Sequence, residues 1–479
     1  MTRSSVVIIG GGISGLAAAW ELTGGARGPD DSTPRVELIE ANDYWGGTLV
    51  TAPFAGRTVD LGADGFLARR GEATTLVDEL GWRDRLEAIG ASGSNIWLGG
   101  ALYELPQGLV LGVPTSSAMV RSIGGLTWRA RECARRDEVL AKRLNVGEDI
   151  SIGEILRTKL GPELAYTIIE PMVGGIQAGR IDELSAKSVF PLLYEAATMG
   201  GSLMKTLKKL STAGVESSGS SSSGPIFYSL TSGVGSLPQE LARQLRARGV
   251  VLRLGVGATA LRRSPSGSYP WEVDTSTTTT PANAIIMATP ASVTGHLLGH
   301  FHRDLEALRF VRSAGAAMIT FAIARDEIAL PEHGTGVLVP LGTSWSPEGS
   351  MMVTAITLLD RKWPHLKHDE DVLLRAHVGR SDDERWKELS DDELCTRVAS
   401  ELALLLPSFG PPTSSLVQRW VPGLPQYLVG HDKLVGAARV AAAPIGLALA
   451  GLSYDGVGVP ASIGSGRNAA KEILATLHS

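Results

Sequence analysis

Three glycines close to the start of the chain have the spacing of a dinucleotide-binding turn. Four β-branched residues, Val6–Ile9, run into Gly10, and Gly12 and Gly15 complete the pattern G-x-G-x-x-G. In such a turn the first glycine permits a tight bend, the second lets a pyrophosphate reach the backbone, and the third lets a helix pack closely on the strand. The apolar stretch Leu16–Leu22 favours that helix, whose free N–H groups would offer phosphates a partial positive charge.

An acidic residue stands where a bound ribose would need a hydrogen-bond acceptor. Glu40 closes a second apolar run, Val36–Ile39, about 25 residues after Gly15. A carboxylate at this point of a strand–turn–helix–strand unit accepts hydrogen bonds from ribose hydroxyls. The strand, the glycine turn, the helix and the acid together indicate a dinucleotide site. The alternative is an ordinary strand–helix–strand turn without a ligand.

A second glycine pair indicates which dinucleotide is bound. Gly46, Gly47 and Thr48 follow soon after Glu40, and glycines here let the backbone approach a cofactor again. The spacing resembles the E-x(4–5)-G-G extension of flavoproteins that have two dinucleotide-binding domains, which implies FAD rather than NAD. A plain hairpin turn after the second strand is the alternative.

A third glycine turn lies near the C-terminus. Gly456, Val457, Gly458 and Val459 precede an apparent helix that starts at Ala461. N–H groups at a helix start can face a flavin pyrimidine ring, which becomes anionic on reduction. The alternative is a glycine turn that holds no ligand.

Composition and charge are those of a large soluble enzyme. A chain of 479 residues with 43% apolar and 20% charged residues is long enough for two or three lobes. Its formal net charge of −5 argues against a general nucleic-acid-binding protein. Cys133 and Cys395 lack C-x-x-C spacing, so we expect neither a disulfide framework nor a thiolate metal site. We find no signal peptide or transmembrane run and expect a cytoplasmic protein.

Local patterns predict the elements that position these motifs. Ser151, with Glu154 three residues on, is typical of a capping box that starts a helix over Ile152–Leu160. Ser94–Leu105 is predicted to be a hairpin that turns on a glycine pair. Other predicted helices are Ala73–Leu80, Ala165–Val173, Gln239–Arg248 and two near Asp371–Val378 and Asp391–Leu406. Other predicted strands are Val250–Val256, Ile285–Pro290, which ends in a turn, Ala316–Ile323 and Met351–Leu358.

A longer C-terminal pattern makes the resemblance to a known family specific. Arg419-Trp420 is followed by Pro425-Gln426-Tyr427 and Val429-Gly430-His431, and then by the glycine turn that ends at Pro460. Together with Ile169–Gly179 and Gly62–Arg70, this resembles the porphyrinogen oxidases of haem biosynthesis. It is most similar to their soluble Gram-positive branch, which oxidises coproporphyrinogen III. The chain departs from the family at Gln177, where tyrosine is usual, at Ala461-Ser462, and at Ala63 and Gly65.

The resemblance implies an α/β fold with three parts. These are a Rossmann-like FAD-binding domain, an amine-oxidase-like mixed-sheet substrate domain and a helical domain. We assign residues 1–90, 225–290 and 416–479 to the FAD-binding domain, residues 91–210 to the mainly helical domain, and residues 291–415 to the substrate domain. Residues 211–224 are rich in serine and glycine, and we predict a disordered loop there.

The motifs and the resemblance together predict the site residues. We expect the cofactor to contact Gly10, Gly12, Ile13, Ser14, Gly15, Glu40, Gly46, Gly47, Thr48, Gly62, Ala63, Asp64, Gly65, Val256, Trp420, Gly456, Val457, Gly458 and Val459. We expect the substrate to contact Arg69, Arg70, Gly175 and Gln177. The two arginines are candidates because propionates call for cations, although an exposed basic pair without a ligand is the alternative.

The implied chemistry is the stepwise removal of hydrogen from a porphyrinogen. A meso methylene gives a hydride to non-covalently bound FAD while a pyrrole N–H proton is lost, and dioxygen reoxidises the flavin to form hydrogen peroxide. Because the cofactor carries the hard step, we predict no catalytic base and no metal. We interpret His431 as structural, and His365 and His368 as part of a solvated loop.

Several alternatives stay open at this point. The substrate could be protoporphyrinogen IX, or the chain could be another oxidase or desaturase of the amine-oxidase fold. A flavin-bound scaffold or regulatory protein without turnover is a third possibility. Between Arg121 and Arg143 lie seven basic and three acidic residues. Such a run is compatible with transient contact with an anionic membrane surface, but we favour a solvated helix face.

Overall fold

Two large sheets and a cluster of helices make up the fold, and the chain passes between them several times. The structure, a computed structural model, describes residues 3–140, 143–217, 224–264, 269–346 and 349–478. Within this part of the chain, no helix has both the length and the apolar character needed to cross a membrane.

The first sheet is parallel and is covered on both faces. Its five strands lie in the order Val251–Arg253, Arg35–Ile39, Ser5–Ile9, Ala284–Met287 and Leu447–Leu449. A strand buried on both faces needs apolar residues on both sides. The central strand meets this need, because Val6–Ile9 are all apolar and buried. One face packs against the helices Ile13–Leu22, Ser236–Ala247 and Val459–His478. The other face packs against Ala291–Leu298 and His431–Ala442.

The second sheet is mixed and has seven strands. They lie in the order Ser414–Pro425, Ser313–Ala324, Asp371–Val378, Val353–Leu358, Gly336–Leu338, Asn95–Leu98 and Ala101–Glu104. The helix Asp391–Leu405 covers one face. The opposite face packs against residues 59–62, because Leu373 clusters with Val59 and Leu61 and Arg375 bonds to the carbonyl oxygen of Gly62 at 3.3 Å.

The predicted helix over Asp371–Val378 is wrong, because this segment is a strand near the centre of the mixed sheet. It pairs with Ser313–Ala324 on one side and with Val353–Leu358 on the other. A short apolar run does not by itself distinguish a buried strand from a buried helix. Here the pairing partners, which lie elsewhere in the chain, decide the conformation.

Two predicted domain boundaries also place strands in the wrong unit. The hairpin Asn95–Leu98 and Ala101–Glu104 was assigned to the helical domain, but it extends the mixed sheet through parallel pairing with Gly336–Leu338. Ser414–Pro425, most of which was assigned to the FAD-binding domain, is the edge strand of the same sheet. In both cases pairing over a long sequence separation outweighs position along the chain.

The helical lobe has its own apolar core, which includes the helices Ile152–Leu160, Pro191–Met199 and Leu203–Ser217. The last of these extends into the predicted disordered loop 211–224, so that prediction is wrong for residues 211–217, while residues 218–223 lie outside the described residues. The Ser151 hydroxyl caps its helix, because it accepts from the N–H of Glu154 at 3.2 Å, which is one of the two bonds of the predicted capping box.

The remaining elements complete the three lobes. The other helices are Gly71–Glu79, Ser117–Ser122, Trp128–Val139, Glu170–Gln177, Ala186–Val189, Arg303–Glu306, Leu359–Lys362 and Leu452–Asp455, with a π-helical segment Leu164–Ile169. The 3₁₀ turns are Gly25–Arg27, Arg83–Arg85, Ala307–Phe310, Arg325–Glu327, Pro364–Leu366, Arg385–Glu388 and Ala443–Ile445. The other strands are Thr51–Phe54, Arg57–Asp60, Phe66–Leu67, Leu86–Ala88, Phe227–Leu230, Ala258–Arg263, Trp271–Thr275, Thr279–Ala282, Ile328–Ala329, Ser344–Ser346, Gly349–Ser350 and Ser408–Phe409.

Candidate functional site

The first glycine turn has the shape of a phosphate cradle. A Cβ atom at Gly10 would collide with the carbonyl oxygen of Ala288, and one at Gly15 would collide with the carbonyl oxygen of Gly10. At Gly12, by contrast, a Cβ atom would meet no protein atom within 4 Å. The helix that begins at Ile13 has no side-chain cap, so its first N–H groups, including that of Ser14, are open to an anion. These residues therefore fit the pyrophosphate of a dinucleotide.

Glu40 closes this turn from the end of the neighbouring strand. One carboxylate oxygen accepts from the backbone N–H of Gly11 at 2.5 Å, and the other accepts from the backbone N–H and the side-chain amide of Asn42, each at 2.8 Å. The backbone N–H of Val256 donates to the Glu40 carbonyl at 2.8 Å. Because an ionised carboxylate offers about four acceptor sites, Glu40 can still receive a ribose hydroxyl.

The second glycine pair lies directly against the first turn. The N–H of Gly46 donates to the carbonyl of Gly11 at 2.9 Å, and a Cβ at Gly47 would lie 3.5 Å from the Cα of Gly12. The carbonyl oxygen of Thr48 in turn occupies the space that a side chain at Gly62 would need. Four predicted cofactor segments are thus in contact one after another.

The segment from Gly62 to Gly65 is held by side chains of the mixed sheet and of the helix that follows its strand Val353–Leu358. Trp420 donates from its indole Nε1 to the carbonyl of Leu61 at 3.1 Å. Arg375, which is buried, donates to the carbonyl oxygens of Asp60 and Gly62. Sequence reasoning missed Arg375, although a charged residue inside an otherwise apolar run was a usable signal. The exposed Ala63 lies in the same segment.

Two carboxylates, Asp64 in this segment and Asp60 just before it, have pKa values that are shifted in opposite directions. Burial alone would raise the pKa of Asp64, but attraction to Lys362 at 2.9 Å and to Arg375 outweighs burial and lowers this pKa to about 2. Burial raises the pKa of Asp60 to about 6, although it accepts from the N–H groups of Val234 at 3.1 Å and Gly235 at 3.0 Å. Asp64 is therefore a fixed anion paired with Lys362.

A histidine shares the Arg375 face of the mixed sheet, because it lies two residues further along the same strand. His377 is half-buried, and its Nε2 lies 3.1 Å from the hydroxyl of Thr357. Burial, followed by repulsion from Arg375, lowers the pKa of His377 to about 4. This side chain was not predicted as a site residue, and it presents a neutral imidazole near pH 7.

The C-terminal glycine turn approaches the first one. Gly456 and Gly458 have φ of +111° and +107°, a backbone region that favours glycine. Just before them, a Cβ at Gly451 would lie 3.8 Å from the hydroxyl of Ser14 in the first helix. Val457 is half-buried and Val459 is buried at the start of the helix Val459–His478. The segment that leads into the C-terminal glycine turn and the first phosphate cradle are therefore neighbours.

The residues predicted to bind substrate lie in two places. Arg69 and Arg70 are exposed, and Arg70 pairs with Glu72 at 3.2 Å. Gly175 is open, because a Cβ there would meet nothing within 4 Å, whereas the side chain of Gln177 is buried and its Oε1 has no partner. The cationic pair thus lies on the surface beside Glu72, whereas Gly175 and Gln177 belong to the helix Glu170–Gln177 of the helical lobe.

The three histidines considered in the sequence, His431, His365 and His368, make local contacts. His431 stacks on Tyr427 with 4.1 Å between ring centroids, and its Nε2 lies 3.0 Å from the carbonyl of Ser453. His368 is exposed, but the prediction of a solvated loop is wrong for His365, which is half-buried beside Trp363. Among the described residues no group of three or more His, Cys, Asp or Glu side chains is placed to hold a metal ion.

Part of the basic stretch forms the helix Trp128–Val139, which has internal ion pairs. In Trp128–Val139, Arg135 and Arg136 pair with Glu132 at 2.8 and 3.0 Å. Trp128 and Leu140, at the two ends, are each 70% exposed. Contact of this helix with a membrane surface remains an open alternative to the solvated face that we favour.

Comparison with known proteins agrees with this geometry. Residues 13–474 match the protein family described as flavin containing amine oxidoreductase. The chain belongs to that family. As a flavin-containing amine oxidoreductase it uses FAD, and the predicted cofactor, the oxidoreductase class and the α/β fold are confirmed. Non-covalent attachment of the FAD stays a prediction.

Three similar proteins also support the predicted resemblance to porphyrinogen oxidases. Coproporphyrinogen III oxidase of Bacillus subtilis (strain 168) is 31% identical over 481 residues, covering 100% of this chain and 99% of the relative. Protoporphyrinogen oxidase of Bos taurus is 30% identical, covering 98% of each. The crystal structure named "Putative protoporphyrinogen oxidase" from Exiguobacterium sp. 255-15 superposes with a TM-score of 0.84 at 28% identity, covering 99% of this flavin-containing amine oxidoreductase and 100% of that chain.

Proposed function

We propose that this chain is an FAD-dependent oxidase that converts coproporphyrinogen III to coproporphyrin III in haem biosynthesis, with dioxygen as the acceptor and hydrogen peroxide as the second product. The observation that carries the proposal is the end-to-end similarity to the coproporphyrinogen III oxidase of Bacillus subtilis. The converging glycine turns support it, because they provide the flavin site that this reaction requires.

The first glycine turn would hold the cofactor at its pyrophosphate, and the C-terminal glycine turn would hold it at its ring system. The N–H groups after Gly12 would face the pyrophosphate, Glu40 would accept from the ribose, and the N-terminus of Val459–His478 would face the ring system. FAD, when bound, supplies the chemistry by accepting two electrons from a meso carbon in each of three steps. Trp420 and Arg375 bond to the carbonyl oxygens of Leu61 and Gly62 and would thereby hold this segment beside the ring.

The substrate would meet the mixed sheet on the face that carries His377. The imidazole is neutral near pH 7 because its pKa is about 4, so it can share hydrogen bonds with a pyrrole N–H without carrying charge into the site. The proton lost in each step leaves to solvent or to such a neighbour, and no strong base is required. Gly175 lies open on the helical lobe, so the macrocycle can approach the backbone there.

Propionates of the substrate would meet cations at the rim of the site. Arg69 and Arg70 are our candidates for this role, since both are exposed. An exposed ion pair contributes about 0.2–1 kcal/mol, and Arg70 already pairs with Glu72. The preference for four propionates over two should therefore be measurable but incomplete.

The experiment that tests the proposal compares two substrates under identical oxygen. Porphyrin formation is followed by fluorescence with coproporphyrinogen III and with protoporphyrinogen IX, and hydrogen peroxide is measured in parallel. We expect a higher kcat/KM for coproporphyrinogen III and one peroxide for each pair of electrons removed. An equal or higher kcat/KM for protoporphyrinogen IX would transfer the chain to that alternative, which the similarity to the Bos taurus protein favours.

A further inference from the structure

The segment from Pro425 to His431 connects the two halves of the proposed site. It leaves the mixed sheet at the end of the strand Ser414–Pro425 and enters the helix His431–Ala442, which packs on the parallel sheet. Backbone bonds tie it to the helical lobe on the way, because the N–H of Ser185 donates to the carbonyl of Tyr427 at 2.8 Å. One short segment therefore touches all three lobes.

The side chain of Gln426 turns toward the helical lobe and holds its substrate segment. It is 3% exposed, and its amide Nε2 donates to the carbonyl of Gln177 at 2.8 Å. Its Oε1 lies where a Cβ at Gly179 would have to be. The helix Glu170–Gln177 ends at this point, with Ala178 in the left-handed region at φ +50°. Gln426 thus fixes the end of the helix that carries the open Gly175.

The side chain of Tyr427 turns the other way, toward the C-terminal glycine turn. It is 2% exposed, and its hydroxyl donates to the carbonyl of Leu452 while accepting from the N–H of Gly456 at 2.9 Å. Burial raises the pKa of Tyr427, so the hydroxyl keeps the proton that it donates. The ring of His431 stacks on the ring of Tyr427 and lies within hydrogen-bond distance of the carbonyl of Ser453, so it helps to hold the tyrosine ring in place.

Neighbouring side chains in an extended segment point in opposite directions. Here the side chain of Gln426 contacts the end of the helix Glu170–Gln177, and that of Tyr427 contacts the C-terminal glycine turn. We propose that Gln426 and Tyr427 are positioning residues with separate duties: Tyr427 sets the glycine turn that faces the flavin, and Gln426 sets the helix end that faces the substrate. The flavin half depends only on the FAD site, whereas the substrate half rests on the proposed function.

The flavin half is tested with Tyr427→Phe, which keeps the buried ring and removes only the hydroxyl. Because the turn loses a buried hydrogen-bonding partner, we expect the Kd for FAD to rise about tenfold. The visible spectrum of the bound flavin should shift, while KM for coproporphyrinogen III stays within about twofold. The matched control is Tyr454→Phe. It removes another buried hydroxyl, which bonds to Thr294 at 2.8 Å rather than to the turn, and it should leave FAD binding unchanged.

The substrate half is tested with Gln426→Glu, which keeps the shape and removes the amide donor. We expect KM for coproporphyrinogen III to rise about tenfold, with the Kd for FAD and the flavin spectrum unchanged. Asn95→Asp is the matched control, because it makes the same change at a buried amide that donates to the carbonyl of His333 at 2.7 Å. It should lower stability without raising KM.

The outcomes separate the inference from its alternatives. If both variants change FAD binding and KM together, or if either changes only the unfolding free energy, the separate duties are refuted. If the wild-type protein does not oxidise coproporphyrinogen III, the proposed function fails, and the FAD titration still decides the role of Tyr427. If Tyr427→Phe does not fold, His431→Phe tests the flavin half through the Kd for FAD, because it removes the bond to the carbonyl of Ser453. If Gln426→Glu does not fold, Gly179→Ala tests the substrate half through KM, because its added methyl group would displace Gln426.

Discussion

Two glycines of the first turn should respond in opposite ways to the same added methyl group. At Gly12 the backbone has φ −66° and ψ 174°, which alanine adopts readily, and the added Cβ would meet no protein atom within 4 Å. At Gly15 the same atom would collide with the carbonyl oxygen of Gly10. Only one of the two positions is therefore kept small by the protein itself.

The expected magnitudes follow from this difference. Gly12→Ala should leave the FAD-free protein as stable as wild type, or about 0.4–1 kcal/mol more stable because the unfolded chain loses freedom. An atom forced into an occupied space costs about 1–3 kcal/mol. For Gly12→Ala that cost appears only when the pyrophosphate arrives, so the Kd for FAD should rise about 5- to 150-fold. For Gly15→Ala the same cost should appear in the unfolding free energy without FAD.

Both quantities can be measured on the FAD-free protein. Unfolding in urea gives the free energy of unfolding, and quenching of flavin fluorescence gives the Kd for FAD. Wild-type FAD affinity in Gly12→Ala would show that no phosphate reaches this glycine. Equal destabilisation of the two FAD-free variants would show that the space beside Gly12 is not available, and either result refutes the reasoning.

Four further predictions concern the charges and the cofactor. Glu40→Ala should weaken FAD binding by about 1–3 kcal/mol, measured by the same titration, and unchanged affinity would exclude a ribose contact. Denaturation should release all of the yellow colour into the supernatant, whereas flavin left on the precipitate would contradict non-covalent binding. The pKa of His377 is about 4 in the folded protein, and its ordinary value is 6.5. As the pH falls, the unfolded chain therefore binds a proton at this imidazole before the folded protein does. His377 should for this reason lower the free energy of unfolding as the pH falls from about 6.5 to about 4. His377→Gln should remove that part of a urea-unfolding pH profile, and an unchanged profile would contradict the lowered pKa. Lys362→Met should destabilise the protein at pH 7 by about 1–3 kcal/mol because it leaves Asp64 without its ion-pair partner, and adding Asp64→Asn should restore most of the loss.

The FAD side of the molecule could be predicted from the sequence because its signals are local. The glycine turn, the strand before it and Glu40 all lie within the first 40 residues, and each residue type is required by the conformation of its own short segment. The strands at 5–9, 35–39 and 284–287 have the predicted type, and so do the helices at 13–22 and 459–478. The last glycine turn adds a further local signal, because N–H groups at the helix start that follows it can face a flavin ring.

The substrate side could not be predicted to the same depth because its geometry depends on distant pairing. The hairpin that starts at Asn95 joins its sheet through Val337, about 240 residues later. Whether Asp371–Val378 is a strand or a helix is decided by two partner strands. With that strand mistaken for a helix, Arg375 and His377 could not be placed on one face, and both stayed outside the predicted site.

The charges near the flavin site are paired in a way that fits a neutral macrocycle. Lys362 is matched by Asp64, the donors of Arg375 bond to backbone carbonyls and to the hydroxyl of Thr320, and His377 is neutral near pH 7. A porphyrinogen ring carries no charge of its own, so an unmatched charge against it would be desolvated without compensation. The propionates instead extend from the ring, and the exposed Arg69 and Arg70 can meet them in water, where cations need no buried partner. This division explains why a site that acts on a multiply charged substrate can keep its interior electrically balanced.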